Sequence, residues 1–474
     1  MKKRYYLILL LIAPLFFYGQ SKTMTLQQCV EMALEKNISI KQSILELESA
    51  AIDKQDAKGN FLPRFNAQSS HSWNIGLNQN ITTGLIENLT TQFSSIGVNM
   101  GVNLYNGGVN FNRLYRANLT LLARQYQLED MTDDIKLFVA NAYLQIMFNR
   151  EIFQVQKLQL EITKKELERT QSLIEAGVIP AGNIYEVEAN LASQEQALIQ
   201  AENAYRISKI SLAQALLITD YNSFDIAKEE FDVPVSFILQ KTPKEIYKKS
   251  IDLRNDIKLA ETNIEIAKND IEIVRKGLLP TLSGFYSYST RVSYSDRLAA
   301  TGTFTQVPVG VVQSTGESVV TSVPDRKVIG PASFADQLGL NDGHNFGLQL
   351  SIPIFNGNAV RNNIKRSKIN LSRSENLFEQ EKLNLESTIN QSFNDAIGAD
   401  KVYEASQKTV LARKNVYENA ENRYKAGVMN SFDFIQSKQR YEASVSDLIR
   451  SKYDYIFKLK VLEFYFGIPI QLAQ

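Results

Sequence analysis

A stretch of about 110 residues that occurs twice most constrains what this chain can fold into. Residues 107–217 read as two long antiparallel helices joined by the break Ala176-Gly177-Val178-Ile179-Pro180. Adding 250 carries Tyr105-Asn106-Gly107 onto Phe355-Asn356-Gly357 and Ala176-Gly177-Val178 onto Ala426-Gly427-Val428, with no net insertion between. What precedes each copy follows an offset of 217, which carries Thr25 onto Thr242, Ile40-Lys41 onto Ile257-Lys258, and Phe61-Leu62-Pro63 onto Leu278-Leu279-Pro280. The offsets differ by 33, so the second copy carries about 33 extra residues between Pro280 and Phe355. A chain of 474 residues could hold three ordinary domains, but a repeat this long argues for one composite architecture. The expected division is a signal peptide over 1–19, a first repeat over 20–218, a linker over 219–241 and a second repeat over 242–474.

Within each repeat the hydrophobic period changes twice. Thr25 with Gln28 and Thr242 with Glu245 fit capping boxes that open short helices, each followed by a longer helix that stops at a proline. After Pro63 the pattern alternates strictly: Phe65, Ala67, Trp73, Ile75 and Leu77 oppose Asn66, Gln68, Ser70, Ser72 and Asn74. The same alternation returns around 96–104, 282–294 and 345–354, giving four strands of roughly ten residues with one apolar face and one face of Asn, Ser, Gln and Gly. Such strands could form half of a soluble sandwich, or place lipid outside and a watery lumen inside. Behind a signal peptide the polar face favours the second, and Tyr286, Tyr288 and Tyr294 suit a membrane-interface girdle. Loops are expected at 78–92 and 296–344, both on one side, with the extra residues in the second.

The first long helix carries a seven-residue spacing, Leu114, Leu121, Leu128, Ile135 and Ala142, resumed one residue out of phase by Phe148, Val155 and Ile162, which predicts coiled-coil packing. About 67 residues at ~1.5 Å each make a rod near ~100 Å.

Composition narrows the function. Lys2, Lys3 and Arg4 precede a mostly apolar run from Tyr5 to Phe17 and then Gly19-Gln20-Ser21, the layout of a secretory signal. Its removal takes the formal charge from +1 to −2, so the mature chain is nearly neutral and nothing points to nucleic acid. No other segment approaches 18 consecutive apolar residues. Cys29, the only cysteine, reads as a small buried side chain on a helix face, and no disulfide is available. The two histidines, His71 and His344, lie in or next to strands, so the sequence offers no nucleophile triad and no metal-binding spacing. The acidic residues, scattered among Lys and Arg, read as solvated helix faces. No enzyme activity, cofactor or metal is expected.

Two passages then carry a resemblance. Ile352-Pro353-Ile354-Phe355-Asn356-Gly357 runs from strand into helix, and Arg423-Tyr424-Lys425-Ala426-Gly427 is followed by Phe432-Asp433-Phe434-Ile435. With Leu104-Tyr105-Asn106-Gly107-Gly108 in the first copy, these resemble the TolC-type outer-membrane efflux proteins over essentially the whole mature chain. The resemblance implies a mixed α and β fold: a homotrimer whose long hairpins form an α-helical tunnel through the periplasm, and whose four strands per subunit share one twelve-stranded transmembrane barrel. Four strands cannot close a barrel alone, because an open edge in lipid leaves backbone groups unpaired. The family further implies a passive exit duct of a tripartite efflux or type I secretion system in the outer membrane of a Gram-negative-type bacterium. Its partners would be outer-membrane lipid, a periplasmic adaptor and an inner-membrane transporter.

Family positions map onto named residues here. The apolar tips, with Gly177, Val178, Ile179, Gly427, Val428 and Met429, would dock the adaptor; local packing across each hairpin is the other reading of those apolar side chains. Asp433 and Gln436 would line the narrow periplasmic end, and Tyr424 with Asn183 would form a closing contact, while Met429 stands where the best-known pattern has a basic residue. Asp433 alternatively serves only the helix start. The chain ends at Gln474 soon after the last helix, so a C-terminal extension that some members wrap around the tunnel is expected to be missing. A general porin would not need the long hairpins, a structural coiled coil would not need a polar-lined sheet, and a secreted enzyme would need a site.

Overall fold

The computed structural model describes residues 23–80, 82–228, 233 and 236–469. The expected signal peptide lies outside the described residues, as does most of Phe231-Asp232-Val233-Pro234 in the linker. In chain order the elements are β1 (Thr23–Met24), α1 (Leu26–Lys36), α2 (Ile38–Gly59), β2 (Arg64–Gln79), β3 (Ile86–Asn106), α3 (Val109–Glu175), α4 (Asn183–Ala215), β4 (Asp225–Ile226), α5 (Pro243–Leu253), α6 (Asn255–Arg275), β5 (Thr281–Ser293), β6 (Arg297–Val311), β7 (Ser318–Ile329), α7 (Phe334–Leu340), β8 (Gly343–Ser351), α8 (Ala359–Lys425) and α9 (Ser431–Tyr465). Element starts follow the two offsets: α1 and α5, α2 and α6, and β2 and β5 begin 217 residues apart, and α3 and α8, each of 67 residues, begin 250 apart. Both capping boxes form, with the Thr25 and Thr242 hydroxyls accepting from the backbone N–H groups of Gln28 and Glu245.

The chain divides into two compact units, each drawing on both copies. Among the described residues, one holds 23–51, 119–266 and 371–469 and is helical apart from the parallel pair β1–β4. Its largest core gathers α1 (Cys29, Ala33), α3 (Val139, Tyr143, Ile146, Met147), α4 (Leu212, Leu216) and α9 (Ile449, Tyr453, Ile456). A second core sets α5 and α6 against α8 and α9 through Ile246, Ile257, Ile389 and Leu459. Cys29 is buried as expected for a small side chain on a helix face. The expected heptad stripe gives way toward the hairpin end of α3: Ile162 is exposed, while Gln159, Thr163 and Thr170 point inward. That interior is polar, so a search for apolar spacing follows the wrong residues.

The other unit, residues 52–118 and 267–370, is built on an antiparallel sheet of order β2-β3-β5-β8. Its strands are 16, 21, 13 and 9 residues long, so the first three exceed the expected ten, the first two by more than half. The expected loop at 78–92 is largely strand, because β2 and β3 pair continuously from Arg64–Gly101 to Gln79–Ile86. The turn between them is closed by Asn80, whose backbone N–H donates to the Leu85 carbonyl at 2.8 Å and whose side chain accepts from Thr82 N–H at 2.9 Å. The fourth strand ends at Ser351, short of Ile354: Pro353 lacks a donor for the ladder, and Ile352-Pro353-Ile354 runs on outside it. The second expected loop is also structured. Its Thr and Val residues form the separate hairpin β6–β7, where the Asp325 carboxylate accepts from the Thr303 and Thr305 hydroxyls at 2.7 and 2.6 Å. The Asp325 carboxyl is held below its usual range by those two bonds.

Helix α7 then covers the part of β5 that runs beyond β8. Gln337 both accepts from the Ser293 N–H and donates to the Ser293 carbonyl, each at 2.9 Å, and Asn341 donates to the Arg291 carbonyl at 2.7 Å. Two side-chain amides thus replace a strand partner and satisfy backbone groups that would otherwise be bare.

Candidate functional site: the two-faced sheet and the hairpin ends

Register places like residues in rows across the sheet. Phe65, Met100, Tyr286 and Phe346 pair in sequence across the four strands, and the adjacent row is Asn66, Asn99, Ser287 and Asn345. Because neighbouring positions on a strand face opposite ways, the first row and its alternates make an apolar face and the second a polar one. The apolar face is open, with Trp73, Ile75, Leu77, Phe346, Leu348 and Leu350 all exposed. A face this large and apolar is foreign to a water-soluble surface. On the polar face the Ser287 hydroxyl donates to Asn99 at 2.7 Å, and Arg64, Asn103, Arg113 and Gln349 line a recess beside them. Tyr286 and Tyr288 gather on the apolar face around His344, with the Tyr286 hydroxyl 2.8 Å from His344 Nδ1. Tyr294 lies one residue past β5, its hydroxyl 3.1 Å from Ser94 Oγ.

All four helices that adjoin the sheet leave from one end, and both strand connections lie at the other. Each long helix starts from a turn with two consecutive left-handed residues, Gly107-Gly108 in the first copy and Gly357-Asn358 in the second. At Gly107 a Cβ would lie 2.9 Å from the Leu279 Cβ, so glycine answers both the conformation and the crowding. No described helix is long and apolar enough to cross a membrane.

At the far ends of the hairpins the two copies terminate their first helix identically. The Val178 N–H donates to the Leu173 carbonyl and the Gly177 N–H to the Ile174 carbonyl; Val428 and Gly427 do the same to Arg423 and Tyr424. This is the Schellman arrangement, and Gly177 and Gly427 supply its left-handed residue at φ 71° and 72°. Val178 and Val428 are exposed, whereas Ile179 and Met429 are half-buried, Met429 against Phe434 and its neighbours.

The return helices start differently. Asn430 caps α9: its Oδ1 accepts from the Asp433 N–H at 2.8 Å, and its Nδ2 donates to Asp433 Oδ2 at 3.0 Å. The first copy has Pro180 in that place, and α4 starts at Asn183 without a side-chain cap. Asp433 and Gln436 are both exposed, one helical turn apart. Tyr424 lies flat on Phe434, ring centroids 4.6 Å apart, and among the described residues makes no hydrogen bond to Asn183. Within one chain the expected closing pair is therefore not brought together.

The expectation that charged residues lie on solvated faces fails above the tips. Lys438 on α9 is 2% exposed and donates to the Thr163 hydroxyl at 2.9 Å and to Glu166 at 3.1 Å, both on α3. Glu442, one turn on, accepts from Gln194 of α4 at 2.9 Å, and Gln439 donates to Asn190 at 3.1 Å. One buried cation thus faces two carboxylates. Burial pushes the Glu442 carboxyl up, Lys438 and Gln194 lower it, and Glu166 adds to the rise. Glu166 Oε1 and Glu442 Oε1 have no hydrogen-bond partner among the described residues. Sequence spacing did not signal this cluster, since the apolar stripe read there runs through Ile162 beside Thr163.

Comparison with known proteins follows the same division into copies. The family model described as "Outer membrane efflux protein" matches residues 29–216 and 246–467. The chain is 23% identical over 334 residues to the pyoverdine export outer membrane protein OpmQ of Pseudomonas aeruginosa, covering 70% of this chain and 60% of that relative's length. It is 19% identical over 452 residues to the outer membrane protein TolC of Escherichia coli, covering 93% of this chain and 81% of the relative. Among solved structures, the outer membrane protein VceC of Vibrio cholerae superposes with a TM-score of 0.72 at 14% identity, covering 94% of this chain and 97% of that one.

Proposed function

The chain belongs to the outer membrane efflux protein family, and from that premise we propose that it is the exit duct of a tripartite efflux or secretion assembly, with three copies sharing one twelve-stranded barrel. Family membership places it in the outer membrane. The observation that carries the reading is the sheet: an apolar face open to lipid, a polar face able to line water, and two edge strands, β2 and β8, with no partner on their outer sides among the described residues. In hydrocarbon each unpaired backbone group costs several kcal/mol, so the edges must meet those of other copies. The long hairpins of the three copies form an α-helical tunnel. An inner-membrane transporter and a periplasmic adaptor supply energy and cargo, and the adaptor meets the tips at Gly177, Val178, Ile179, Gly427, Val428 and Met429.

At the same end Asp433 and Gln436 of three copies form rings around the axis, and Tyr424 finds Asn183 on a neighbouring copy when the duct is closed. Mass measurement of the purified protein in detergent tests the duct: three copies are expected, and a stable water-soluble monomer with full strand content overturns it. Replacing Val178 and Val428 by Ser tests the tips, since export should be lost at unchanged assembly yield; an equal fall in yield returns these valines to local packing.

A further inference from the structure

Inside one chain, α9 of the second copy packs antiparallel on α3 of the first in a register that can be read step by step. Phe148 meets the Tyr453 ring at 6.3 Å, Ile152 and Val155 join the cluster that holds Ile449, and Thr163 and Glu166 hold Lys438. The repeat offset of 250 carries the α3 side of this contact onto α8, and carries the α9 side back onto α4. On those helices the corresponding positions have no such neighbour. Tyr185 and Ile199 on α4 are 72% and 66% exposed, and Val402 and Val416 on α8 are 57% and 51% exposed. Glu188, the counterpart of Lys438, is exposed, and Arg413, the counterpart of Thr163, is half-buried; neither has a charged or hydrogen-bonding partner among the described residues. Tyr185, Glu188 and Ile199 lie on one face of α4, and Val402, Arg413 and Val416 on one face of α8, at the spacing of a coiled-coil seam.

We propose that these two faces are the contact between neighbouring copies of this chain, in the register of the internal contact: Glu188 against Arg413, Ile199 against Val402 and Tyr185 against Val416. Charge favours that pairing and opposes the alternatives. Moved by the same offset, a contact between two second repeats would set Lys438 against Arg413, and one between two first repeats would set Glu188 beside Glu166. Each puts like charges together in a closing interface. First and second repeats must therefore alternate around the assembly, the internal contact using a cation from α9 and the contact between chains using a cation from α8.

This rests on the reading that copies assemble side by side, and cysteine cross-linking separates the two ideas. Full-length protein carrying Glu188→Cys and Arg413→Cys should, under mild oxidation, give covalently linked multimers; native Cys29 is buried and does not compete. The pair Glu188→Cys with Val402→Cys, out of register, should not. Glu188→Arg or Arg413→Glu alone should lower the yield of assembled protein about tenfold, and the two together should restore it. An assembly of the expected mass that links only through the out-of-register pair, or through neither, overturns the register and leaves the duct intact. A chain that stays monomeric by mass overturns both.

Discussion

The two copies keep one backbone and differ in the charges they place on it. Their first long helices have equal length and end in the same hydrogen bonds, and their first strands begin 217 residues apart. Yet the position that holds buried Lys438 in the second copy holds exposed Glu188 in the first, and Asp433 answers to Asn183. The acidic group of Asp130, Asp133 and Asp134 around Arg254 has no counterpart 250 residues on, where Gln380 replaces Asp130. Duplication thus supplies geometry twice, and divergence decides which of two equivalent faces is closed within the chain and which is left for a partner. Substitutions at equivalent positions should accordingly match where the role is geometric and diverge where charge differs.

The largest asymmetry should come at Lys438. Lys438→Met leaves Glu166 and Glu442 facing each other, and removing one partner of a buried ionic cluster costs about 3–5 kcal/mol. Thermal unfolding in detergent should show a large loss. A small change would mean that the carboxylates take up protons at little cost and that the cluster is not what holds the hairpins together. Next comes a symmetry. Val98 and Leu348 occupy equivalent places on the apolar face, and a lysine facing lipid near the bilayer midplane costs about 2–4 kcal/mol. Val98→Lys and Leu348→Lys should both deplete the membrane-assembled form, while Asn99→Lys and Gln349→Lys on the polar face should be tolerated. If one copy tolerates lysine on its apolar face, the two pairs of strands do not share one environment.

How much of this was legible in the sequence follows from the same physics. Helix starts were readable because Thr25 and Thr242 announce caps, and the sheet because one of its faces is apolar and the other polar. Strand ends were not: past Ser94 on β3 the face that carries Met100, Val98 and Ile96 turns to Gln92, Thr90 and Asn88, yet the ladder runs on to Ile86, since backbone pairing continues where no apolar face is required. The β6–β7 hairpin was hidden for a related reason, having no buried side to impose alternation; its Thr and Val content was the available clue. The Lys438 cluster escaped because a charge on a helix reads as solvated until a neighbouring helix covers it. The tip residues were legible as a turn, from glycine at the left-handed position, while the docking and gating proposed there would depend on molecules outside the chain.

A smaller effect should appear in the pH dependence of stability. The Asp130 carboxyl is pushed up to about 6, first by burial and then by Asp256, with Arg254 opposing and Asp134 and Asp133 adding to the rise. Its folded value lies above the unfolded one, so between about pH 4 and about pH 6 the folded chain keeps a proton that the unfolded chain has released. Stability from this group is therefore full below that window and lost as pH rises through it. Asp130→Asn, which mimics the protonated form, should melt higher than the parent above pH 6 and lose the advantage below pH 4. A parallel displacement at all pH values would assign the effect to the Arg254 ion pair instead.

The smallest change in stability, and the sharpest test of divergence, lies at the return helix. Asp433 is tied to Asn430 by a reciprocal pair of hydrogen bonds, and a negative charge in the first turn of a helix is stabilising by about 0.3–1 kcal/mol. Those contacts account for a helix start without invoking a duct. They leave the side chain exposed, however, and three such carboxylates around one axis would repel one another, attract cations and bind divalent ions, while Gln436 one turn on adds hydrogen-bonding groups without charge. Asp433→Asn gives the second copy the residue that the first already has at Asn183. It should lower the melting temperature slightly, and in planar bilayers it should reduce cation preference and divalent-ion block. The reverse change, Asn183→Asp, should strengthen both if the first tip also borders the lumen. A duct whose selectivity is the same with Asp or Asn at 433, and which only melts a little earlier, would make Asp433 a capping residue and place the constriction elsewhere.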